Sequence, residues 1–153
     1  MRLLSSLSGC AFAALMSLPA VATEPLDLQQ EFTAYNERYN EIIATYDLEA
    51  FIDLYDDAPL WIAPDKEPVA GLNVPRGTFG FIIENEGRLT HSFDELIVSD
   101  DGTQVVMIGR YEADIEKVGV KAQGTYLFVL ERDGEAWNIV VDMFNQHAAD
   151  GGS

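Results

Sequence analysis

Residues 46–71, YDLEAFIDLYDDAPLWIAPDKEPVAG, are the stretch on which the fold turns. Asp47 is placed to cap a short helix whose apolar face is Leu48, Phe51, Ile52 and Tyr55, at spacings of three and four. Leu60 to Ala63 then reads as a short apolar strand, and Pro64, Pro68, Gly71 and Pro75 break it into a loop. A helix feeding a strand within so few residues implies a mixed structure.

Upstream, Leu28, Phe32, Tyr35, Tyr39, Ile42, Ile43 and Tyr46 recur at helical spacing and form one stripe on a long helix. Its start falls in 24–28, where Pro25 suits a first turn and Asp27 with Gln30 resembles a capping box. Downstream, a third helical segment is expected over Val74 to Asn85, closed by Gly87. Gly77 and Gly80 inside it cost about 1 kcal/mol each relative to Ala. Beyond Gly87 the period becomes two. Segments near 88–98, 103–117, 120–132 and 136–147 read as strands rich in Val, Ile, Tyr and Phe, separated by SDDG, KVG and RDGE. Three helical pieces followed by a curved antiparallel sheet make an α+β domain.

Side-chain facing follows from turn chemistry. A two-residue turn at Asp133-Gly134 pairs Arg132 with Glu135, Leu130 with Trp137, Phe128 with Ile139, Tyr126 with Val141 and Gly124 with Met143 on the bulkier face. Asp142 then faces outward with Thr125, and a one-residue change of register would turn it inward. In the strand at 88–98, Leu89, His91, Phe93 and Ile97 argue for one face, Leu96 and Val98 for the other, which a bulge near Asp94 reconciles. His91 points inward on the first parity. It is one of two histidines, the other being His147 near the chain end.

The chain has 153 residues, 48% of them hydrophobic, enough for one core and short for two. Its opening, MRLLSSLSGCAFAALMSLPAVATEP, has one Arg, an apolar run and then Ala20-Val21-Ala22, the pattern of an export leader cleaved after residue 22. Leu7-Ser8-Gly9-Cys10 offers a rival, lipidation at Cys10. The expected organisation is a leader over 1–22, one domain over 23–147 and a short tail over 148–153, with a periplasmic or secreted product that does not stay in the membrane. Cleavage after Ala22 removes the one cysteine, and with it disulfides and thiol chemistry. It also removes Arg2 and no acid, so the net charge moves from 9 − 26 = −17 to 8 − 26 = −18. A field of that sign repels nucleic-acid phosphates. No Gly-rich phosphate loop and no metal-ligand spacing is present, so neither cofactor nor metal is expected.

The order of elements resembles the NTF2-like superfamily, particularly its SnoaL-like and DUF4440 branches. The stretch at 46–71, the stretch GTYLFVLERDGEAWNIVVDMFN at 124–145 and the spacing between them carry the likeness, which covers Leu26 to His147. The helices RYNEIIATYDLEAFIDLY match ketosteroid isomerase without a gap and put Tyr39 on its oxyanion-hole tyrosine. That enzyme also needs a carboxylate base at the end of the first strand, where this chain has Ile62 or Ala63; its second oxyanion group falls near Tyr126. The resemblance implies a cavity between the long helix and the inner sheet face, lined by Tyr39, Trp61, His91, Met107, Tyr111, Tyr126, Met143 and Asn145, unless these residues simply fill the core. Three functions stay open. One is binding of a small apolar molecule without turnover. The second is carbonyl chemistry with His91 or Asp142 as base and Tyr39 or Tyr126 as polarising group. The third is an assembly module, and a homodimer through the outer sheet face carrying Val106, Ile108, Leu127, Val129 and Val140 is expected under any of them.

Overall fold

The computed structural model describes residues 25–148, so the leader, Cys10 and all but the first residue of the tail lie outside the described residues. The long helix is α1, Pro25–Ala44, and its stripe of Leu28, Phe32, Tyr39, Ile42 and Ile43 is buried. Helix α2, Leu48–Ile52, begins where Asp47 accepts a hydrogen bond from the Ala50 amide at 3.0 Å. Strand β1 then runs Tyr55–Ile62, five residues earlier than its apolar end suggests, so Tyr55 belongs to the strand and not to the helix. Pro59 explains the early start: a helix extended to that point would lose a hydrogen bond and clash with the Tyr55 carbonyl.

A two-residue strand β2, Val69–Ala70, folds back on β1 and leads into α3, Asn73–Glu84. Strands β3 (Arg88–His91), β4 (Glu95–Val98), β5 (Gln104–Ile115), β6 (Val120–Asp133) and β7 (Ala136–Phe144) follow, with a single 3-10 turn at Glu116–Val118 before β6. The third helix therefore comes after two strands. The sheet order is β2-β1-β7-β6-β5-β3, with β4 also on β5. All pairings are antiparallel except β1 with β7, which is parallel and corrects the expectation of a wholly antiparallel sheet. No helix among the described residues is long and apolar enough to cross a membrane.

Two irregularities decide which side chains face the helices. His91 pairs with Tyr111 and Glu95 with Ile108, so three residues between them oppose two, which is the bulge expected near Asp94. His91 and Leu96 thereby both reach the inner face. The second irregularity is in the last hairpin. Its turn lies one residue further on, with Asp133 opposite Ala136, and Leu130 pairs with Ile139 but Val129 with Val141. Val140 is the extra residue. It reverses the alternation, so that Trp137 and Ile139 face inward before it, and Asp142 and Phe144 after it. The pairing of Tyr126 with Val141 and Gly124 with Met143 is thus replaced by Tyr126 with Phe144 and Phe128 with Asp142.

Glycine is required where aromatic rings lie across the sheet. A Cβ on Gly109 would meet the Ser92 carbonyl and stand 2.7 Å from the Tyr126 ring; one on Gly124 would meet the Asn145 carbonyl and stand 2.6 Å from the Tyr111 ring. These two positions let Tyr126 and Tyr111 lie flat along the inner face.

Candidate functional site

The inner sheet face and the three helices border a partly open cavity of about 220 Å³. Tyr39 of α1, Phe51 of α2, Phe79 and Ile82 of α3, Trp61 of β1, His91 of β3, Tyr111 of β5, Tyr126 of β6 and Asp142 and Phe144 of β7 contribute to its wall. A larger concavity of about 620 Å³ adjoins it, sharing Ala113, Ala122 and Gln146. There the exposed Arg88 and Lys121 both pair with Asp114 through Oδ2, while its Oδ1 is buried without a partner among the described residues.

His91 is the centre of an aromatic stack. Its ring lies 4.5 Å from Tyr39 and 4.3 Å from Tyr126, with an interplanar angle of 16° to each. Its backbone is fixed by α1: the Asn40 carboxamide accepts from the His91 amide at 2.8 Å and donates to its carbonyl at 2.8 Å, and Asn36 donates to the same carbonyl at 3.2 Å. Nδ1 is buried without a hydrogen-bond partner among the described residues. Burial lowers the imidazole to about 3, so His91 is neutral at physiological pH. As a base it is weak, and as a wall it is rigid.

Among the described residues Asp142 is the one acid in the cavity lining, and it is 4% exposed. The Tyr55 hydroxyl donates to its Oδ2 at 2.7 Å. Burial raises the carboxyl to about 7, against the lowering effect of that hydrogen bond. Burial likewise holds the Tyr39, Tyr55 and Tyr126 hydroxyls above their ordinary range, so all three stay protonated donors. Tyr126 spends its proton on the Ser92 carbonyl at 2.9 Å. The arrangement therefore offers a guest one ionisable carboxyl, the Tyr39 hydroxyl and aromatic faces elsewhere.

Of the residues expected at the site, Tyr39, Trp61, His91, Tyr111 and Tyr126 do meet at this cavity. Met107 is buried beside its cross-strand partner Phe128 and does not line the cavity wall. Met143, 40% exposed, and Asn145 face outward because of the Val140 bulge, which brings in Asp142 instead. Asn145 serves the backbone, accepting from the Thr125 amide at 2.9 Å. Tyr55 was hidden from sequence reasoning by its helical spacing, although Pro59 carried the signal that the helix had ended. Ile62 and Ala63 bring no carboxylate to the end of β1, and Asp65 is exposed in the following turn. Among the described residues no group of three His, Cys, Asp or Glu side chains is placed to hold a metal ion.

A family model for the SnoaL-like domain matches residues 33–143, most of the chain. The protein is a member of the SnoaL-like family. A comparison with curated proteins gave no match. Among solved structures, this SnoaL-like chain is similar to an NTF-2 like protein of unknown function from Shewanella oneidensis, at 16% identity and a TM-score of 0.64, over 76% of this chain and 98% of that one. It is similar to a ketosteroid isomerase-like protein from Erwinia carotovora atroseptica, at 17% identity and a TM-score of 0.60, over 78% and 94%. It is also similar to Aln2 from a Streptomyces species, at 14% identity and a TM-score of 0.64, over 85% and 94%. Likeness at these identities concerns the fold. The SnoaL-like fold hosts unrelated activities, so function has to be argued from the cavity itself.

Proposed function

We propose that this SnoaL-like protein binds a small, largely apolar molecule in the cavity between its helices and the inner sheet face. The observation that carries the proposal is a hollow of about 220 Å³ with aromatic walls and a single carboxyl inside. Packed cores seldom keep space of this size, and sites for drug-sized ligands span roughly 300–1,000 Å³, so the guest is smaller than those. The test uses benzyl alcohol as probe. At 100 times its Kd it should stabilise the protein by about 2.7 kcal/mol in thermal or urea unfolding. Ala122→Leu, which fills the cavity from β6, should abolish that gain while leaving the protein folded. Absence of stabilisation in the parent protein, together with absence of a retained guest in its native mass spectrum, would refute the proposal.

A second reading is favoured by the position of Asp142. A carboxyl near neutrality inside a hydrophobic cavity is poised to accept a proton from a carbon beside a carbonyl, with Tyr39 as donor to the carbonyl oxygen, as in an isomerase, cyclase or dehydratase. His91 is the poorer base for the reason already given. Turnover lost in Asp142→Asn, with the fold intact, would separate catalysis from binding.

The proposal includes export. Cleavage near Ala22 would deliver residues 23–153 to the periplasm or the exterior, whereas lipidation at Cys10 would leave a longer, acylated chain. An intact mass of the mature protein decides between them.

A further inference from the structure

We infer that the cavity selects a small amine, a guest with an apolar body of one ring and a single ammonium group set against the open oxygen of Asp142. The inference rests on the binding proposal above and names its ligand class.

Four observations lead to it. First, Tyr55 engages Oδ2 of Asp142, and no described residue donates to Oδ1, although the side chain forms part of the cavity wall. A buried carboxylate with an unmet oxygen carries a desolvation cost that a cation or hydrogen-bond donor in the guest would offset. Second, the described residues supply no cation there. No described Lys or Arg contributes to the wall, and His91, the basic side chain that does, is kept neutral by burial between two tyrosine rings.

Third, the surfaces around the carboxyl are π faces. Tyr39, Trp61, Tyr111, Tyr126 and Phe144 surround the space, and a desolvated ammonium near such faces gains further electrostatic stabilisation. Fourth, the chain carries a net charge of −17, a field that draws cations and repels anions. An anionic guest of the same size would meet the carboxylate with no positive partner.

The ionisable groups facing Asp142 from each element are Tyr35 and Tyr39 of α1, Tyr55 of β1 and Tyr126 of β6. His91 of β3 shares the cavity. Burial keeps every one of these tyrosines protonated and the histidine neutral near pH 7, so Asp142 alone changes charge there. A cationic guest requires the carboxylate; a neutral carbonyl guest would require the carboxylic acid. The two therefore have opposite pH slopes.

The experiment titrates the full chain with benzylamine and with benzyl alcohol by calorimetry from pH 5 to pH 8. Benzylamine, an ammonium throughout this range, should bind about tenfold more weakly for each pH unit below 7. Benzyl alcohol should show no such slope. Asp142→Asn, similar in shape but uncharged, should cost benzylamine at least tenfold in affinity at pH 8 and flatten its dependence on pH. Equal affinities for both probes at every pH, or affinities that fall as pH rises through 7, would overturn the inference while the cavity proposal survives. If neither probe binds, both fall together.

Discussion

Asp142 and His91 give this protein two buried ionisable groups whose effects on stability oppose each other. The Asp142 carboxyl is raised from an ordinary 3.8 to about 7, so between those values the folded state holds a proton that the unfolded chain releases. Its stabilising contribution is complete below about pH 4 and is lost as pH rises through 7. At 1.36 kcal/mol per pH unit the loss amounts to about 4 kcal/mol. His91 runs the other way. Its imidazole is lowered from 6.5 to about 3, so the unfolded chain binds the proton first, and stability falls by about 5 kcal/mol as pH drops from 6.5 to 3. Between pH 4 and 6.5 the two slopes nearly cancel in the parent protein. Asp142→Asn removes one of them without changing side-chain volume. Urea unfolding of parent and variant at half-unit steps from pH 4 to 8 isolates the Asp142 contribution, because every other group is common to both. The stability of the variant relative to the parent should climb by about 4 kcal/mol across the series, most steeply between about pH 4.5 and 6.5, and level off above 7. A difference that stays constant over this range would refute the burial of Asp142 in its uncharged form, and with it the inward turn produced by the Val140 bulge.

Gly124→Ala should lower stability by roughly 1–3 kcal/mol or more, since the new methyl meets the Asn145 carbonyl and the Tyr111 ring at once; a thermal midpoint within a degree of the parent would show that the strand ends yield freely. Asn40→Ala removes both bonds to the His91 backbone, each worth about 0.5–1.5 kcal/mol. Hydrogen exchange at the His91 amide should accelerate in that variant, while the amides of β6 keep their protection. On the outer sheet face, Val106, Ile108, Leu127, Val129 and Val140 remain half-buried in the single chain. If that face joins two copies, Val129→Glu should convert a dimer to a monomer in sedimentation velocity, and a monomeric parent protein would remove the assembly reading.

Much of the architecture was legible because periodicity reports burial directly. The stripe on α1, the cap at Asp47, the third helix despite its two glycines, and the bulge near Asp94 all follow from spacing and residue type. What was not legible has a common origin. A bulge adds one residue to one strand, and nothing in the run Trp137-Asn138-Ile139-Val140-Val141 marks which valine is the extra one, since both suit either face. That single insertion exchanged Met143 and Asn145 for Asp142 and Phe144 at the cavity. The parallel pairing of β1 with β7 was equally hidden, because it joins segments far apart in the chain. Tyr55 shows the converse problem: its spacing fitted a helix that Pro59 had already forbidden.

The contact between Asn40 and His91 also bears on how the protein avoids sticking to itself. A strand at the end of a sheet exposes amides and carbonyls that can recruit another chain. Here a single carboxamide from the helix answers both groups of His91, much as a neighbouring strand would. At the opposite border the last strand is only two residues long. Recruitment of another strand is thereby hindered at β2 and at His91, while β4, paired only to β5 and carrying exposed Ile97 and Val98, is the border left open to it.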